Sequence, residues 1–275
     1  MIEFHVDQER CVQCGECVVD CPMKVLTMNT GFPAIIPEKE SFCINCQHCL
    51  AICPTEALSI HGCRPEESRP LKGALPSRQQ LETLIMGRRS VRRYTDKPVD
   101  KDEIEQLMRV VAHAPSGRNN ADRLFSLVDD ANVMEQYRKL TYHGLDLAAK
   151  NNQIPESLGF FARFPEAFAQ GNDVIFRGAP HLFAVSSPGH GASAEADCLI
   201  ALSYFELLAS SAGLGALWCG LAKWAMGIVP EMRLALGIPE GHVLGYVMLF
   251  GHPDVRYQRT VQRNPAHILR LKFKS

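Results

Sequence analysis

The order of apolar and polar residues predicts a run of helices and short strands over the last three quarters of the chain. Leu81, Leu84 and Ile85 recur at helical spacing from about Arg78. Ile104, Leu107, Met108 and Val111 mark one face of a second helix, entered through Asp100-Lys101-Asp102-Glu103, which has the form of a capping box. Leu124–Val128 predicts a strand, Asn132–Lys150 a helix, His181–Ser187 a strand, Ala192–Ser211 a long apolar helix and His242–Phe250 a buried strand. Helices outnumber strands and the strands are short, so the expected class is α+β.

The most apolar long stretch is Leu199–Val229. Glu206, Lys223 and Gly213-Leu214-Gly215 interrupt it, so it predicts a buried helix followed by a turn and not a membrane span. Thr141–Arg177 carries Phe160, Phe161, Phe164, Phe168 and Phe176 behind Tyr142 and His143. Two readings suit it: a lid whose aromatics stack on a planar substrate, or a helical excursion that packs them into core. The second is favoured residue by residue, with one or two rings expected to line a pocket.

After Ile60 the texture changes. His61 to Pro76 holds three prolines, two glycines and charges without periodicity. The expected organisation is a small domain over 1–62, a linker over 63–77 and a larger domain over 78–275.

Composition agrees with a globular protein: 46% of the 275 residues are hydrophobic and 21% charged. The formal net charge is −1, which gives no reason to expect nucleic acid or an anionic membrane surface as partner. Residues 1–63 hold eight acids and three bases, a net of −5, which leaves +4 on the remainder. An acidic module beside a mildly basic domain suits electron transfer to a domain with an anionic cofactor; ordinary solvated faces would give the same asymmetry. MIEFHVDQER lacks the basic and apolar regions of a signal peptide, so the expected compartment is the cytoplasm. Thiols stay reduced there, and dense cysteine points to metal.

Eight of the eleven cysteines form two copies of one pattern: Cys11-x2-Cys14-x2-Cys17-x3-Cys21-Pro22 and Cys43-x2-Cys46-x2-Cys49-x3-Cys53-Pro54, offset by 32 residues throughout. The spacing is that of bacterial ferredoxins carrying two [4Fe-4S] clusters, in which three thiolates on one loop hold three corners of a cubane and the fourth cysteine crosses to the other cluster. The expected ligand sets are Cys11, Cys14, Cys17 and Cys53 for the first cluster, and Cys43, Cys46, Cys49 and Cys21 for the second. Structural zinc would space cysteine pairs a dozen or more residues apart. Cys198 and Cys219 lie in apolar surroundings and read as small buried residues. Cys63 has no evident role.

Arg88-Arg89-Ser90-Val91-Arg92-Arg93 follows the first helix, and its guanidinium groups suit phosphate. A solvated basic turn would look the same in isolation. In company it does not stand alone. Arg88-Arg89-Ser90-x-Arg92 resembles the opening FMN-binding motif of the nitroreductase family, and Ala114-Pro115-Ser116-Gly117-Arg118-Asn119 is similar to its second motif. Ala212-Gly213-Leu214-Gly215-Ala216-Leu217-Trp218 resembles the glycine turn after its central helix. Gly237-Ile238-Pro239, Gly245-x5-Gly251-His252-Pro253 and Arg259-x3-Arg263 resemble its C-terminal part.

The resemblance implies FMN, held at its phosphate and ribityl chain by Arg88, Ser90 and Arg92. It implies that Pro115, Ser116 and Asn119 approach the flavin, usually from the partner subunit. Backbone amides near Cys219, Gly220 and Leu221 would face the flavin, and Arg263, with Arg259, would complete the phosphate site. It also implies a homodimer with Ala192–Ser211 in the dimer core. Asn120-Ala121-Asp122-Arg123 departs from the Gln and Pro that often follow the second motif, which bears on substrate choice.

Flavin N5 would carry the chemistry, so no catalytic side chain is singled out. The expected substrates are small electron-poor molecules such as nitroaromatics, quinones and activated alkenes. Electrons would pass from the clusters to FMN, with an external ferredoxin or other donor as partner. Two alternatives keep the same folds: NAD(P)H oxidation with electrons leaving through the clusters, and a non-catalytic electron carrier or redox sensor. Gly213-x-Gly215-x4-Gly220 does not match a dinucleotide fingerprint.

Overall fold

The computed structural model describes residues 1–191 and 193–273. They form two compact units: Met1–Pro76 together with Ser116–Ala121, and Ser77–Pro115 together with the chain from Asp122 onward.

In the first unit β1 (Phe4–Val6) leads to a short helix α1 (Glu16–Val19), a hairpin of β2 (Leu26–Asn29) and β3 (Phe32–Ile35), a second short helix α2 (His48–Ala51) and β4 (Leu58–Ile60). β1 pairs antiparallel with β4, and β2 with β3. The 32-residue repeat extends to backbone conformation. Left-handed residues recur as Gln13 and Asn45, Gly15 and Gln47, Lys24 and Glu56. Such values are uncommon outside glycine, so their recurrence means that both cysteine runs fold on one template. The core is small: Cys17, Cys21 and Cys49 are buried among Val25, Leu26, Leu50, Leu58 and Ile60. A module of this size has little apolar area to bury and is the kind that needs a further cross-link.

The second unit runs through α3 (Arg78–Gly87), α4 (Lys101–Val111), β5 (Leu124–Val128), α5 (Ala131–Lys150), α6 (Phe164–Ala169), β6 (His181–Pro188), α7 (Ala194–Ser211), β7 (Gly215–Trp218), α8 (Gly220–Ile228), α9 (Glu231–Ala235) and β8 (His242–Gly251). Its antiparallel sheet has the order β5-β6-β8-β7. Both faces of β6 and β8 are covered, which is why these strands read as nearly continuous apolar runs. Leu182, Ala184, Val247 and Leu249 join a core with residues of α5, α8 and α9. The alternate positions Phe183, Val185, Met248 and Phe250 join a core with α4 and α7. Each of the larger of these side chains contributes about 1.5–3 kcal/mol on burial.

Capping fixes the helix starts. Ser77 and Gln80 cap α3 reciprocally. Asp100, read as opening a capping box, accepts a bond only from the Asp102 N–H. Asp130 accepts from Asn132 and Val133 and starts α5 one residue before the predicted position.

The Leu199–Val229 stretch is richer than a helix and a turn. α7 ends at Gly213 (φ 76°), and β7 and α8 follow. A segment apolar on nearly every side offers no contrast from which a strand could be read. Ala192, where the sequence pattern would begin α7, lies outside the described residues. The Phe-rich segment packs as core: Phe161 and Phe176 are fully buried, and Tyr142 stacks on Phe168 with ring centroids 4.1 Å apart. Asp173 anchors it, accepting from the Tyr142 hydroxyl at 2.6 Å and pairing with Arg138 at 3.0 Å. Among the described residues no helix is long and apolar enough to cross a membrane.

Candidate functional site

In the first unit each cysteine run turns through left-handed residues into a short helix, which carries Cys17 or Cys49 into the core. The run's last cysteine then lies on the segment leading away. A cavity results that is bounded by Cys11, Cys14, Cys17 and Cys53, with Val6, Pro33 and Leu58 in its walls. This is the first expected ligand set, crossover cysteine included. The thiols of both runs are electrostatic neighbours. Burial raises the Cys17 thiol, and Cys53 and Cys14 raise it further. Burial pushes the Cys49 thiol up to about 12, with Cys46, Cys17 and Cys21 adding to the effect. Iron therefore has to displace protons from buried thiols as it binds.

Among the described residues no three His, Cys, Asp or Glu side chains converge tightly enough to hold a single metal ion. A cubane is wider than one ion, and its thiolates stand at its corners instead of around one point. Cys53 Sγ accepts from the Ala57 N–H at 3.2 Å, and Cys43 Sγ lies 3.8 Å from His61 Nε2. Cys63, for which the sequence offered no role, accepts from Gln47 Nε2 at 3.4 Å.

In the second unit the arginine segment runs beside β7. The Val91 N–H donates to the Ala216 carbonyl, and Ser90 bridges the same residue. A Cβ on Gly215 would stand 2.7 Å from the Val91 side chain, so this approach requires glycine. Arg88 caps α3 and pairs with Glu206 of α7 at 3.0 Å. Arg92 is exposed and reaches only the Ser90 carbonyl, at 3.4 Å.

The second motif is divided. The Pro115 carbonyl accepts from Arg123, and the Ser116 hydroxyl accepts from the Ala121 N–H. Asn119 departs from its expected role. Its side-chain amide donates to the carbonyls of Ile44 and Asn45, at 2.9 and 3.0 Å, within the first unit. Both of its amide hydrogens are engaged there.

At the start of α8 the expected amides also divide. The Cys219 N–H donates to the Val247 carbonyl and extends the sheet, so it does not face outward. Its thiol, pushed up to about 11 by burial, caps α8 through the Ala222 N–H. The Gly220 N–H has no acceptor among the described residues, whereas the Leu221 and Ala222 N–H groups both approach the Cys219 thiol. They lie at a helix N-terminus, where a developing negative charge is favoured. Nearby, Lys223 lies 5.0 Å from the centre of the Tyr246 ring and donates to the Gly245 carbonyl, and Trp218 meets Tyr246 edge to face. In the sequence Lys223 reads only as a break in an apolar stretch. An open amide at the start of a helix that also carries a lysine suits the electron-rich edge of a reduced flavin. Arg259 and Arg263 lie exposed in a segment without helix or strand and form no ion pair among the described residues.

Comparison with known proteins agrees with this layout. Residues 85–252 match the model of the nitroreductase family, and residues 10–58 match that of a 4Fe-4S dicluster domain. A protein of Archaeoglobus fulgidus, whose name pairs NADH dehydrogenase with NAD(P)H nitroreductase, is 25% identical over 193 residues, covering 69% of this chain and 97% of its own. A Bacteroides fragilis nitroreductase with bound FMN shares the fold at a TM-score of 0.55 and 22% identity, over 70% of this chain and 99% of that one. A Desulfitobacterium hafniense nitroreductase with bound FMN gives 0.54 and 22%, over 69% and 98%. With its family match spanning more than half of its length, the chain belongs to the nitroreductase family of flavin oxidoreductases and carries a 4Fe-4S dicluster domain ahead of the flavin-binding fold.

Proposed function

We propose that the chain is an FMN- and iron–sulfur-dependent enzyme that reduces a small electron-poor organic substrate, of the nitroaromatic, quinone or activated-alkene class, with electrons relayed from two clusters to the flavin. The observation that carries this reading is the cavity bounded by Cys11, Cys14, Cys17 and Cys53, in the same chain as the Gly220 amide at the start of α8. The repeated backbone of the second run supports a second cluster held by Cys43, Cys46, Cys49 and Cys21.

When bound, the clusters supply one-electron transfer and FMN supplies two-electron reduction of the substrate. The chain's own residues bind and orient. Arg88, Ser90 and Arg92 would hold the phosphate and ribityl chain, and Arg263 and Arg259 would complete the phosphate site. The Gly220 amide, with Leu221 and Lys223 of the same helix, would stabilise negative charge on the flavin. Pro115 and Ser116 would come from a second copy of the chain. A homodimer is supported by the apolar face left on α3, where Leu81 and Ile85 are exposed, and by the apolar groove that Leu84 forms with Val110, Tyr204, Leu207 and Leu208. The opposite face of α7 already lies in the chain's own core through Cys198, Leu202 and Phe205, so only its outer face serves a dimer. We place the enzyme in the cytoplasm, with an external ferredoxin or similar one-electron donor as partner.

The test is anaerobic stopped-flow reduction of the flavin by reduced viologen and by NAD(P)H, in the wild type and in a cluster-free Cys11→Ser/Cys43→Ser variant. Viologen reduction should be fast only with the clusters present. Rapid reduction by NAD(P)H without clusters would instead favour electron exit through them.

A further inference from the structure

We propose that Asn119 is a positioning residue for the second iron–sulfur cluster and not a flavin contact. The proposal rests on the reading that Cys43, Cys46, Cys49 and Cys21 hold that cluster. Ile44 and Asn45 are the two residues between Cys43 and Cys46. Their peptides must turn sharply for both thiolates to face one cubane, and Asn45 does so in the left-handed region at φ 51°. The Ile44 and Asn45 carbonyls lie in that turn. Both meet the Asn119 amide, at 2.9 and 3.0 Å, and neither has another partner in the backbone hydrogen-bond pattern.

The segment that delivers Asn119 is built for the purpose. Arg118, Asn119 and Ala121 have φ values of 55°, 55° and 49°, an unusual density of left-handed residues without glycine. The Ser116 hydroxyl fixes the segment internally by accepting from the Ala121 N–H at 3.0 Å. Ser116–Ala121 belongs to the first unit, although its sequence neighbours on both sides belong to the second.

The first repeat has no such clamp. The residues equivalent to Ile44 and Asn45 are Val12 and Gln13. Val12 is 61% exposed whereas Ile44 is half-buried, and no side chain donates to the Val12 or Gln13 carbonyl among the described residues. The two clusters, alike in their cysteines, therefore differ in support. The second depends on a segment some seventy residues downstream of its loop.

The experiment uses the full-length holoprotein. Iron and sulfide counts with EPR of the reduced wild type come first, and about eight iron atoms per chain establish the two-cluster reading on its own. The signal removed by Cys46→Ser identifies the second cluster. Asn119→Ala and the shape-conserving Asn119→Asp, which offers no donor, are then compared with the wild type for iron release to a chelator, cluster EPR and FMN affinity. The expected result is an altered second-cluster signal and second-cluster iron release accelerated about tenfold, as fits the loss of two hydrogen bonds. The first-cluster signal should be unchanged and the FMN dissociation constant should stay within about twofold. Weakened FMN binding, unchanged iron release, or loss of both clusters at equal rates would each overturn the proposal.

Discussion

Arg88 and Glu206 form an ion pair 3.0 Å long that joins the end of α3 to the middle of α7, with side chains only 29% and 11% exposed. A carboxylate this shielded depends on its cation. Arg88→Ala should destabilise the second unit by about 3 kcal/mol, because it leaves Glu206 buried without a partner. The double variant Arg88→Ala/Glu206→Gln should recover part of that loss, since the stranded charge is gone. Urea denaturation of the four proteins in the cycle measures the coupling. Full additivity of the two single changes would mean that the pair does not interact.

His181 predicts a loss of stability in acid. It is fully buried, stacks on Phe250 and accepts a hydrogen bond from the Val99 N–H at Nε2. Burial holds its pKa below the usual histidine value, against the opposing pull of the Val128 backbone and of Asp129 and Asp130. The unfolded chain takes up a proton at a higher pH than the folded one. The stabilising contribution is therefore complete above about pH 6.5 and is lost as pH falls through the folded pKa. His181→Gln should cost stability at pH 7 and flatten the slope of unfolding free energy between pH 7 and 5. An unchanged slope would remove His181 as its source.

The elements that the sequence revealed are those whose burial is one-sided or whose ends carry a cap. Ile104, Leu107 and Val111 repeat against polar neighbours, and α4 was legible with them. β7 was not legible, because Gly215–Trp218 lies between two apolar helices and its identity as a strand comes from pairing with β8, a distant segment. The cysteine runs were legible because cubane ligation imposes spacing on the sequence itself. Lys223 and Asn119 were not. The meaning of Lys223 comes from Tyr246 and Gly245, and that of Asn119 from Ile44 and Asn45, contacts made only after folding.

The crossover of the cysteines gives a pattern of spectra. If Cys53 completes the first cluster, Cys53→Ser should leave the same residual EPR signal as Cys11→Ser, although it lies in the second run. Cys21→Ser should likewise match Cys43→Ser. The cavity that places Cys53 with Cys11, Cys14 and Cys17 underlies this expectation. A match of Cys53→Ser to Cys43→Ser would mean that each run holds its own cluster.

Gly245 tests how closely α7 is seated on the sheet. A Cβ at this position would stand 2.2 Å from the Cys198 Cβ and 3.4 Å from the Val185 carbonyl. Both neighbours are fully buried, Cys198 in α7 and Val185 in β6, so neither can move aside alone. Gly245→Ala would have to push the helix away from the strands along the face where Phe205 packs on Phe183 and Phe250. Overpacking of this kind costs about 1–3 kcal/mol. The same shift would disturb Arg88 through Glu206 and the Gly220 amides through β8, so FMN affinity should fall along with stability. Phe205→Ala provides the contrast. It removes packing without forcing the helix outward, and should cost about 3–5 kcal/mol while leaving FMN affinity closer to that of the wild type. Chemical denaturation and flavin fluorescence titration of the two variants separate the effects. Gly245→Ala with unchanged FMN affinity would show that the seating of α7 does not reach the flavin site.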